Sequence, residues 1–172
     1  MEIRYLNADD AGEWLRLRLE ALKGDPEAFS ASLEEYEALS VEEVKRRLWA
    51  NQDAFVVGAT ENGRLIGTAG FYREQGSKTR HKGRVWGVYV SFAARGKGVG
   101  RSLMQKLLER GRSVRGVEQI LISVTSTQTA AIKLYRSLGF EPFGREPGAL
   151  KVGERLIDEE YMLMTLDKAA QK

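Results

Sequence analysis

A short glycine-rich segment, residues 95–101 (Arg-Gly-Lys-Gly-Val-Gly-Arg), has the composition of a phosphate-binding loop. Its glycines alternate, so one side of the turn carries no Cβ and a ligand can lie against backbone N–H groups. An apolar stretch precedes the segment and an amphipathic one follows it, and the first turn of a helix adds unpaired N–H donors and the positive end of the helix dipole. The segment therefore predicts a pyrophosphate-binding turn between a strand and a helix, with a plain glycine-rich turn as the alternative.

The spacing within this loop excludes one phosphate-binding motif and disfavours another. A Walker A loop needs Gly-x-x-x-x-Gly-Lys-Ser/Thr, and no lysine followed by Ser or Thr stands at that position after these glycines. A dinucleotide fingerprint needs Gly-x-Gly-x-x-Gly directly after a strand, and an acidic residue at the end of the next strand. Here the third glycine comes one residue early, and Glu118 lies at the start of the next apolar run. A nicotinamide cofactor is therefore a minor alternative.

Together with a second motif, the loop resembles a known family. The loop reads Arg-x-x-Gly-x-Gly, and residues 131–140 (Ala-Ile-Lys-Leu-Tyr-Arg-Ser-Leu-Gly-Phe) are similar to Ala-x-x-Leu-Tyr-x-x-x-Gly-Phe. In this order the two motifs resemble the GNAT superfamily of acyl-CoA-dependent N-acetyltransferases, and the resemblance extends over nearly the whole chain. It implies acetyl-CoA as co-substrate, a primary amine as acceptor, direct attack in a ternary complex, and no metal.

The resemblance also implies roles for particular residues. The backbone of Val88, Tyr89 and Val90 would pair with the pantetheine arm and point an N–H at the thioester oxygen. Tyr135 would protonate the departing thiolate, although a tyrosine on an apolar helix stripe is the alternative. Gln128 stands where many members have asparagine, and its longer side chain can still offer an amide. The cofactor-binding set predicted in this way is Val88, Tyr89, Val90, Arg95, Gly96, Lys97, Gly98, Val99, Gly100, Arg101, Gln128 and Tyr135.

The sequence assigns neither the general base nor the acceptor. Residues 84–90 contain no carboxylate, and Ser123 occupies a strand position where some family members have a glutamate base. Four acids are candidates for acceptor binding, or for a base acting through water, by charge and position: Glu34, Glu35, Asp158 and Glu159. Protein N-termini, polyamines, aminoglycosides and amino-acid-like antibiotics all stay open as acceptors.

Charge is unevenly distributed along this 172-residue chain, whose net charge is +3. Between Arg95 and Arg115 seven basic residues stand against the single acid Glu109, a local net charge of +6. This predicts a surface that attracts a polyanion such as coenzyme A. Between Asp25 and Glu43 there are seven acids and no lysine or arginine. That segment favours a small cationic amine as acceptor, or is a solvated loop with acids at a helix N-terminus.

Two other functions stay open beside acetyl transfer. A non-catalytic acyl-CoA sensor would explain the missing strand carboxylate. A basic nucleic-acid-binding domain would fit the isoelectric point of about 9.2, with Trp86 or Tyr89 as stacking groups. The second fits poorly, because both aromatics lie on a strand predicted to be buried. The expected partner is a small-molecule or peptide amine, without nucleic acid or membrane, and a homodimer is left open.

The predicted architecture is one α/β N-acetyltransferase domain over residues 1–172. It contains a central mixed, mostly antiparallel sheet of six to seven strands, flanked by about four helices. The chain has no cysteine, which excludes disulfides, thiolate metal sites and a cysteine nucleophile. No signal segment and no apolar run of membrane-spanning length is found, so a cytoplasmic protein is expected.

Apolar periodicity and capping signals predict the four helices. Ser40 and Glu43 form a capping box at the start of the second, and Gly139 is suited to end the fourth. The fourth helix would be capped at its N-terminus by Thr125, Ser126 or Thr127. The apolar face of the first helix is predicted at Trp14, Leu15, Leu19 and Leu22.

Turn residues and strand order predict the sheet. Asn62-Gly63 predicts a tight hairpin between antiparallel strands at residues 55–60 and 64–72. The strand at 84–90, the helix after it and the strand at 119–124 predict a parallel pair joined by a crossover helix, which splays at the cofactor site. The remaining strands are predicted at residues 3–6, 141–145 and 160–166.

Overall fold

The computed structural model describes residues 1–48 and 51–166, whose strands form one seven-stranded sheet in the order β1-β2-β3-β4-β5-β7-β6. The pair β4–β5 is parallel and the other pairs are antiparallel, which confirms the predicted mixed sheet. The strands are β1 (Glu2–Tyr5), β2 (Ala54–Glu61), β3 (Arg64–Arg73), β4 (Lys82–Val90), β5 (Gln119–Thr125), β6 (Glu141–Val152) and β7 (Arg155–Thr165). The helices are α1 (Ala11–Gly24), α2 (Leu33–Glu37), α3 (Val41–Arg47), α4 (Val99–Ser113) and α5 (Thr129–Ser137).

Two apolar cores lie on opposite faces of the sheet. The larger contains buried residues of α4, such as Leu103, and Tyr135 of α5. The smaller contains buried residues of α1 and α3, including Trp14 and Val44. Burial on both faces explains why β2 and β3 are nearly continuous apolar runs. No described helix is long and apolar enough to cross a membrane.

The turn and cap signals in the first half of the chain are confirmed. Asn62 and Gly63 have φ values of 51° and 74°, as a hairpin turn with two left-handed residues requires. Ser40 caps α3, with its backbone N–H donating to Glu43 at 2.8 Å. A second capping box, with Ser32 as its N-cap residue, opens the short helix α2, which the sequence analysis missed. Helix α2 has only five residues, too few for an apolar period to be read.

The predicted apolar face of α1 is wrong by a rotation about the helix axis. Leu15 and Leu19 are only half-buried, whereas Leu17 and Arg18 are buried. The buried face of α1 includes two alanines and one arginine at helical spacing. The prediction instead followed the large aliphatic side chains of Leu15 and Leu19. The buried residues of α1 are Ala11, Trp14, Leu17, Arg18, Ala21 and Leu22.

The last two strands are longer than predicted, and α5 begins differently. Strands β6 and β7 form a long hairpin whose turn contains Gly153, with φ of 59°. Seven successive residues at the start of β6 are exposed, so no alternation of apolar residues marks it in the sequence. Helix α5 has Gln128 as its N-cap residue rather than Thr125, Ser126 or Thr127, and the Gln128 side chain makes no capping bond. The predicted end of α5 is confirmed, because Gly139 follows it with φ of 99°.

A gap opens in the middle of the sheet, as predicted for the parallel pair. Strands β4 and β5 are paired only from Lys82 with Gln119 to Arg84 with Leu121, and both strands then continue unpaired with each other. A bulge adds to the distortion, because β3 shifts its register on β4 between Thr68 and Gly70. The second half of β4 is thus separated from the second half of β5, and the gap faces α5.

Candidate functional site

A cleft of about 400 Å³ extends from the gap between β4 and β5 to the glycine-rich loop. The end of β4 forms one wall, α5 forms the opposite wall, and the start of α4 closes one end. Among the predicted cofactor-binding residues, Lys97 is exposed and lies outside the lining. All the others line the cleft: Val88, Tyr89, Val90, Arg95, Gly96, Gly98, Val99, Gly100, Arg101, Gln128 and Tyr135.

The three loop glycines have two different structural roles. Gly96 and Gly98 have φ values of 75° and 80°, and a Cβ built on either would meet no atom within 4 Å. These positions therefore need glycine for their backbone conformation, and they are open to a ligand. Gly100 is helical, and its Cβ would touch Leu134 of α5 at 3.4 Å, so it lets α4 and α5 approach closely.

The start of α4 offers backbone donors to the cleft. Gly98 is the N-cap residue, and the N–H of Ser102 donates to its carbonyl at 3.1 Å. The N–H groups that precede Ser102 in the first turn have no acceptor within the helix. Such donors, together with the helix dipole, fit the oxygens of a diphosphate. The loop therefore has the shape and the donors that a coenzyme A diphosphate needs.

The basic residues of 95–115 do not form one surface, which corrects the charge prediction. Arg95 is 2.5 Å from Asp25 and also donates to the carbonyl of Val90, so it ties the end of β4 to the end of α1. Arg110 and Arg115, near the other end of α4, line a separate cleft of about 660 Å³. Because α4 is roughly 22 Å long, the two groups cannot serve the same diphosphate.

A second pocket of about 90 Å³ lies next to the first, at the gap between β4 and β5. Its lining includes Trp86 and Gly87 of β4, and Ser123 of β5. Because both cavities share part of their lining, they are adjacent at the gap. The residues that line both are Ala28, Phe29, Val88, Gln128, Ala131 and Tyr135.

Tyr135 lies at this junction with its ring against Phe140, and only 4% of the residue is exposed. Burial raises the pKa of its hydroxyl above the usual range, because the phenolate would be desolvated. The hydroxyl therefore stays protonated at neutral pH and can act as a proton donor. Gln128 is close by, and because its side chain caps no helix, its amide is available to a ligand in either cavity.

The four acids proposed for the acceptor side lie outside the lining of both cavities. Glu35 accepts a hydrogen bond from the backbone of Ser32 at 3.0 Å and caps α2, and Glu34 is exposed on the same helix. Asp158 accepts from the N–H of Gly148 at 2.9 Å and from Arg145 at 2.7 Å. These two contacts lower the pKa of the Asp158 carboxyl, which makes it a weaker base.

Glu159 is the candidate whose register relates it to the smaller pocket, because it lies on the same sheet face as Ser123. It is opposite Thr125 in the β5–β7 register, and Tyr161 is opposite Ser123. Alternation along the strands puts Glu159, Tyr161 and Ser123 on one face of the sheet. The Tyr161 hydroxyl donates to Glu146, which raises the pKa of Tyr161 to about 12. Side chains alternate between the two faces of a strand, so the spacing of Glu159 and Tyr161 in the sequence could have predicted this polar face.

Arg18 is a candidate site residue that the sequence analysis missed. It is 6% exposed, and its Nε and Nη1 atoms have no hydrogen-bond partner in the part of the chain that is described. The sequence did contain an indication that Arg18 is buried. It is four residues after Trp14 and four before Leu22, and therefore lies on the apolar face of α1. A charged residue at such a position is rare without a partner.

The acidic segment around Asp25 is largely neutralised. Asp25 pairs with Arg95, and Glu27 accepts from Arg155 at the β6–β7 turn. Glu42 pairs with Lys45 at 2.6 Å. Since Glu35 and Glu43 cap helices, five of the seven acids have a structural partner. The solvated-loop interpretation of this segment is thus better supported than an open acidic surface.

The nucleic-acid-binding alternative finds little support in the geometry. Trp86 is half-buried and packs against Trp14 at 6.1 Å between ring centres, and Tyr89 is 7% exposed, so neither ring lies fully open for stacking on bases. In the described part of the chain no group of three or more His, Cys, Asp or Glu side chains could hold a metal ion.

A glycine loop that opens a helix beside a splayed parallel pair is the arrangement that the resemblance to acyl-CoA-dependent N-acetyltransferases predicts. Residues 18–140 match the model of the Acetyltransferase (GNAT) family. The chain belongs to this family, as the two motifs predicted, and the family uses acetyl-CoA.

Similar proteins agree with this membership. The chain is 39% identical over 80 residues to an L-methionine sulfoximine/L-methionine sulfone acetyltransferase from Pseudomonas paraeruginosa, covering 46% of each protein. A GNAT-family acetyltransferase from Streptococcus pneumoniae has a TM-score of 0.86 at 20% identity, covering 96% of this chain and 99% of that one. A ribosomal-protein-alanine N-acetyltransferase from Brucella melitensis has a TM-score of 0.75 at 26% identity, covering 96% of this chain and all (100%) of the other. The chain spans less than half the length of the curated relatives it matches.

Proposed function

We propose that this chain is a single-domain N-acetyltransferase, residues 1–172, that transfers an acetyl group from acetyl-CoA to a primary amine by direct attack in a ternary complex. The observation that carries the proposal is that Tyr135 lines two adjacent cavities, the larger of which also includes the glycine loop. The larger cavity suits a long carrier with a diphosphate at one end. The smaller suits an amine that is held next to the acyl end of that carrier.

The chain's own groups can meet each need of the reaction. The backbone N–H groups near Gly98 would hold the diphosphate, and the backbone groups of Val88 to Val90 that face away from β3 would hold the pantetheine arm and polarise the thioester oxygen. One such donor is typically worth ~3 kcal/mol. As the new C–N bond forms and the C–S bond breaks, Tyr135 would give its proton to the departing sulfur, and the nitrogen would lose one proton. Tyr135 would then regain a proton from water, so that the net change is one proton moved from nitrogen to sulfur.

The proton from the amine has no direct acceptor in the smaller pocket, since no Asp or Glu is among its described lining residues. We assign this proton to water, which Glu159 can reach along the face shared with Ser123. The same lack of a carboxylate favours the second candidate function, an acyl-CoA sensor without transfer activity.

The relatives bear on the acceptor. One acts by name on L-methionine sulfoximine or sulfone, and another on a ribosomal-protein alanine. Because the second of these is a protein N-terminus and the first a small molecule, both types belong in an activity test. A cytoplasmic location and a homodimer stay predictions.

The test combines a binding measurement with an activity measurement. Calorimetry with acetyl-CoA comes first, followed by thiol release from acetyl-CoA with L-methionine sulfone, spermidine, an aminoglycoside and a peptide with a free N-terminal alanine. Acetyl-CoA without any amine gives the hydrolysis background. We expect binding, and release above background for at least one amine. Binding without release for any amine would favour the sensor, and absence of binding would contradict both.

A further inference from the structure

Arg18 is a buried cation without an anionic partner in the described chain. The residue is 6% exposed, and Nε and Nη1 are both buried without a hydrogen bond to any described residue. Within residues 1–48 and 51–166 no ion pair joins it to a carboxylate, although Arg16 on the same helix pairs with Glu13 and Glu20. An arginine side chain stays charged at any physiological pH. Leaving that charge without a partner is costly, so the site is built for a group that the protein does not itself provide.

The guanidinium of Arg18 lies beside the gap in the sheet, against two aromatic rings. The ring centres of Phe29 and Tyr36 lie 4.5 Å and 4.9 Å from its Cζ atom. Arg18 also shares a side-chain hydrogen bond with Tyr36, which leaves Nε and Nη1 without a partner in the described chain. A Cβ built on Gly87 would be 3.9 Å from Nη1. Gly87 and Phe29 both line the smaller pocket, so the guanidinium lies just behind its wall.

The indole N–H of Trp14 is a second unpaired donor in the described chain, and it lies on the same face of α1 as Arg18. The Nε1 atom of Trp14 is buried without a hydrogen-bond partner in the described residues, one helical turn before Arg18. The Trp14 ring is 6.1 Å from the rings of both Tyr36 and Trp86, which places it in the same aromatic cluster. Indole and guanidinium groups only donate hydrogen bonds. A ligand group that satisfies either donor must therefore be an acceptor, and at Arg18 an anion satisfies the charge as well.

We propose that Arg18 binds the carboxylate of the acceptor, so that the substrate is an α-amino acid or a similarly short amino acid. This inference rests on the proposed acetyl transfer. The charged guanidinium can donate to a carboxylate oxygen from Nη1, the unpaired atom that lies next to the Gly87 position. Gly87 directly precedes Val88, whose backbone borders the cleft for the acyl carrier, and one strand residue spans about 3.3 Å. The carboxylate and the attacking amine must therefore be close together in the acceptor.

The charges around the gap agree with an acceptor that carries an anion. Asp25 and Glu27, the acids of the segment next to Phe29, pair with Arg95 and Arg155. They therefore do not repel a carboxylate as free acids would. A polyamine, in contrast, would bring a second cation to a pocket that already contains an unpaired arginine.

The first experiment needs no variant. Thiol release from acetyl-CoA is measured for L-methionine, L-leucine and L-phenylalanine, each beside its amide, at equal concentrations of the neutral amine. We expect kcat/KM to be about 10²-fold higher for the preferred acid than for its amide, because the amide leaves a buried charge unpaired. Amides that react as well as their acids would overturn the proposal while leaving acetyl transfer intact.

The second experiment removes the guanidinium. Arg18→Met keeps a flexible side chain of similar length between the aromatic rings, and we expect it to lower kcat/KM for the acid by about 10²-fold and to change the amide little. Arg18→Lys keeps the charge without the planar donors and should recover part of the activity. Arg16→Met on the same helix is the matched control. An equal loss for acid and amide would indicate a structural role and contradict the proposal.

A binding experiment separates this inference from a failure of the proposed function. If acetyl-CoA binds but no amine reacts, calorimetry with coenzyme A present compares N-acetyl-L-leucine with N-acetyl-L-leucinamide. We expect the acid to bind more tightly in the unaltered protein and to lose that advantage in Arg18→Met. Equal binding of the two compounds would overturn the carboxylate site, whatever the outcome of the activity test.

Discussion

Tyr135 combines burial, position at the junction of two cavities, and a raised pKa, and desolvation is the cause of that shift. We expect Tyr135→Phe to lower kcat by about 10²-fold, because a general acid is lost, while the Kd for acetyl-CoA stays nearly the same. Stopped-flow thiol release and calorimetry measure the two quantities. Tyr72→Phe, the same change on an exposed strand residue, is the control.

The pH dependence gives a further check on Tyr135. A raised pKa means that the neutral, proton-donating form persists to higher pH than for a free tyrosine. Activity should therefore fall on the acid side as the amine becomes protonated, and should show no loss due to Tyr135 up to about pH 10. An alkaline loss below that pH which Tyr135→Phe abolishes would remove the assigned role.

Single residues differ in how far the sequence reveals them. Tyr135 and Gln128 were found because they belong to a motif with fixed spacing. Arg18 belongs to no motif, and the helical face of α1 was misjudged because Leu15 and Leu19 drew the apolar stripe away from it. Whether Nε and Nη1 of Arg18 have hydrogen-bond partners depends on which side chains surround them, and tertiary packing decides that.

The backbone conformation of the glycine loop predicts how a substitution there changes the affinity for acetyl-CoA. Gly98 has φ of 80°, and its missing Cβ faces open space. We expect Gly98→Ala to raise the Kd for acetyl-CoA about tenfold, because a left-handed alanine costs roughly 1 to 2 kcal/mol and the methyl group lies where the ligand would bind. Calorimetry measures the change.

The control for this loop is Gly63→Ala in the β2–β3 turn. Gly63 has a similar φ of 74° and equally open space around its missing Cβ. The Gly63→Ala variant should have a lower melting temperature, as Gly98→Ala should, but its affinity for acetyl-CoA should be unchanged. Equal effects of both variants on binding would mean that the loop acts only through stability.

Elements with a strong local signal were predictable, and those fixed by packing were not. The hairpin at Asn62-Gly63 and the capping box at Ser40 follow from local backbone chemistry. The full length of β6 did not, because its first residues are exposed and show no alternation. Charge counted along α4 was misleading, since a helix distributes successive residues around its axis and along its length.

Ligand binding should stabilise the molecule as a whole, because the two halves of the sheet are joined by few bonds at the gap. At a concentration 100 times its Kd, coenzyme A should add about 2.7 kcal/mol. For a chain of this size that corresponds to a rise in melting temperature of roughly 5 to 10 °C. Differential scanning fluorimetry with coenzyme A, and with inorganic phosphate as the control, measures this shift.

A missing rise with coenzyme A would argue against the cleft as its site. Gly98→Ala should need a higher coenzyme A concentration for the same rise, whereas Gly63→Ala should follow the unaltered protein from a lower starting temperature. The fold class itself was predictable from strand and helix order, because crossover handedness and hairpin signals leave few topologies.

The short β4–β5 ladder has a consequence for the catalytic cycle. Backbone amides and carbonyls past Arg84 on β4 have no neighbour on the β5 side, so in the proposed enzyme the amide-rich arm of the thioester substitutes for a stretch of protein chain. While it is bound, acetyl-CoA is then a part of the sheet's hydrogen-bonded structure as well as the acetyl donor. Departure of the spent carrier therefore breaks bonds equivalent to those of a sheet edge, and bound coenzyme A should slow hydrogen exchange at those amides of Val88 to Val90 that face away from β3.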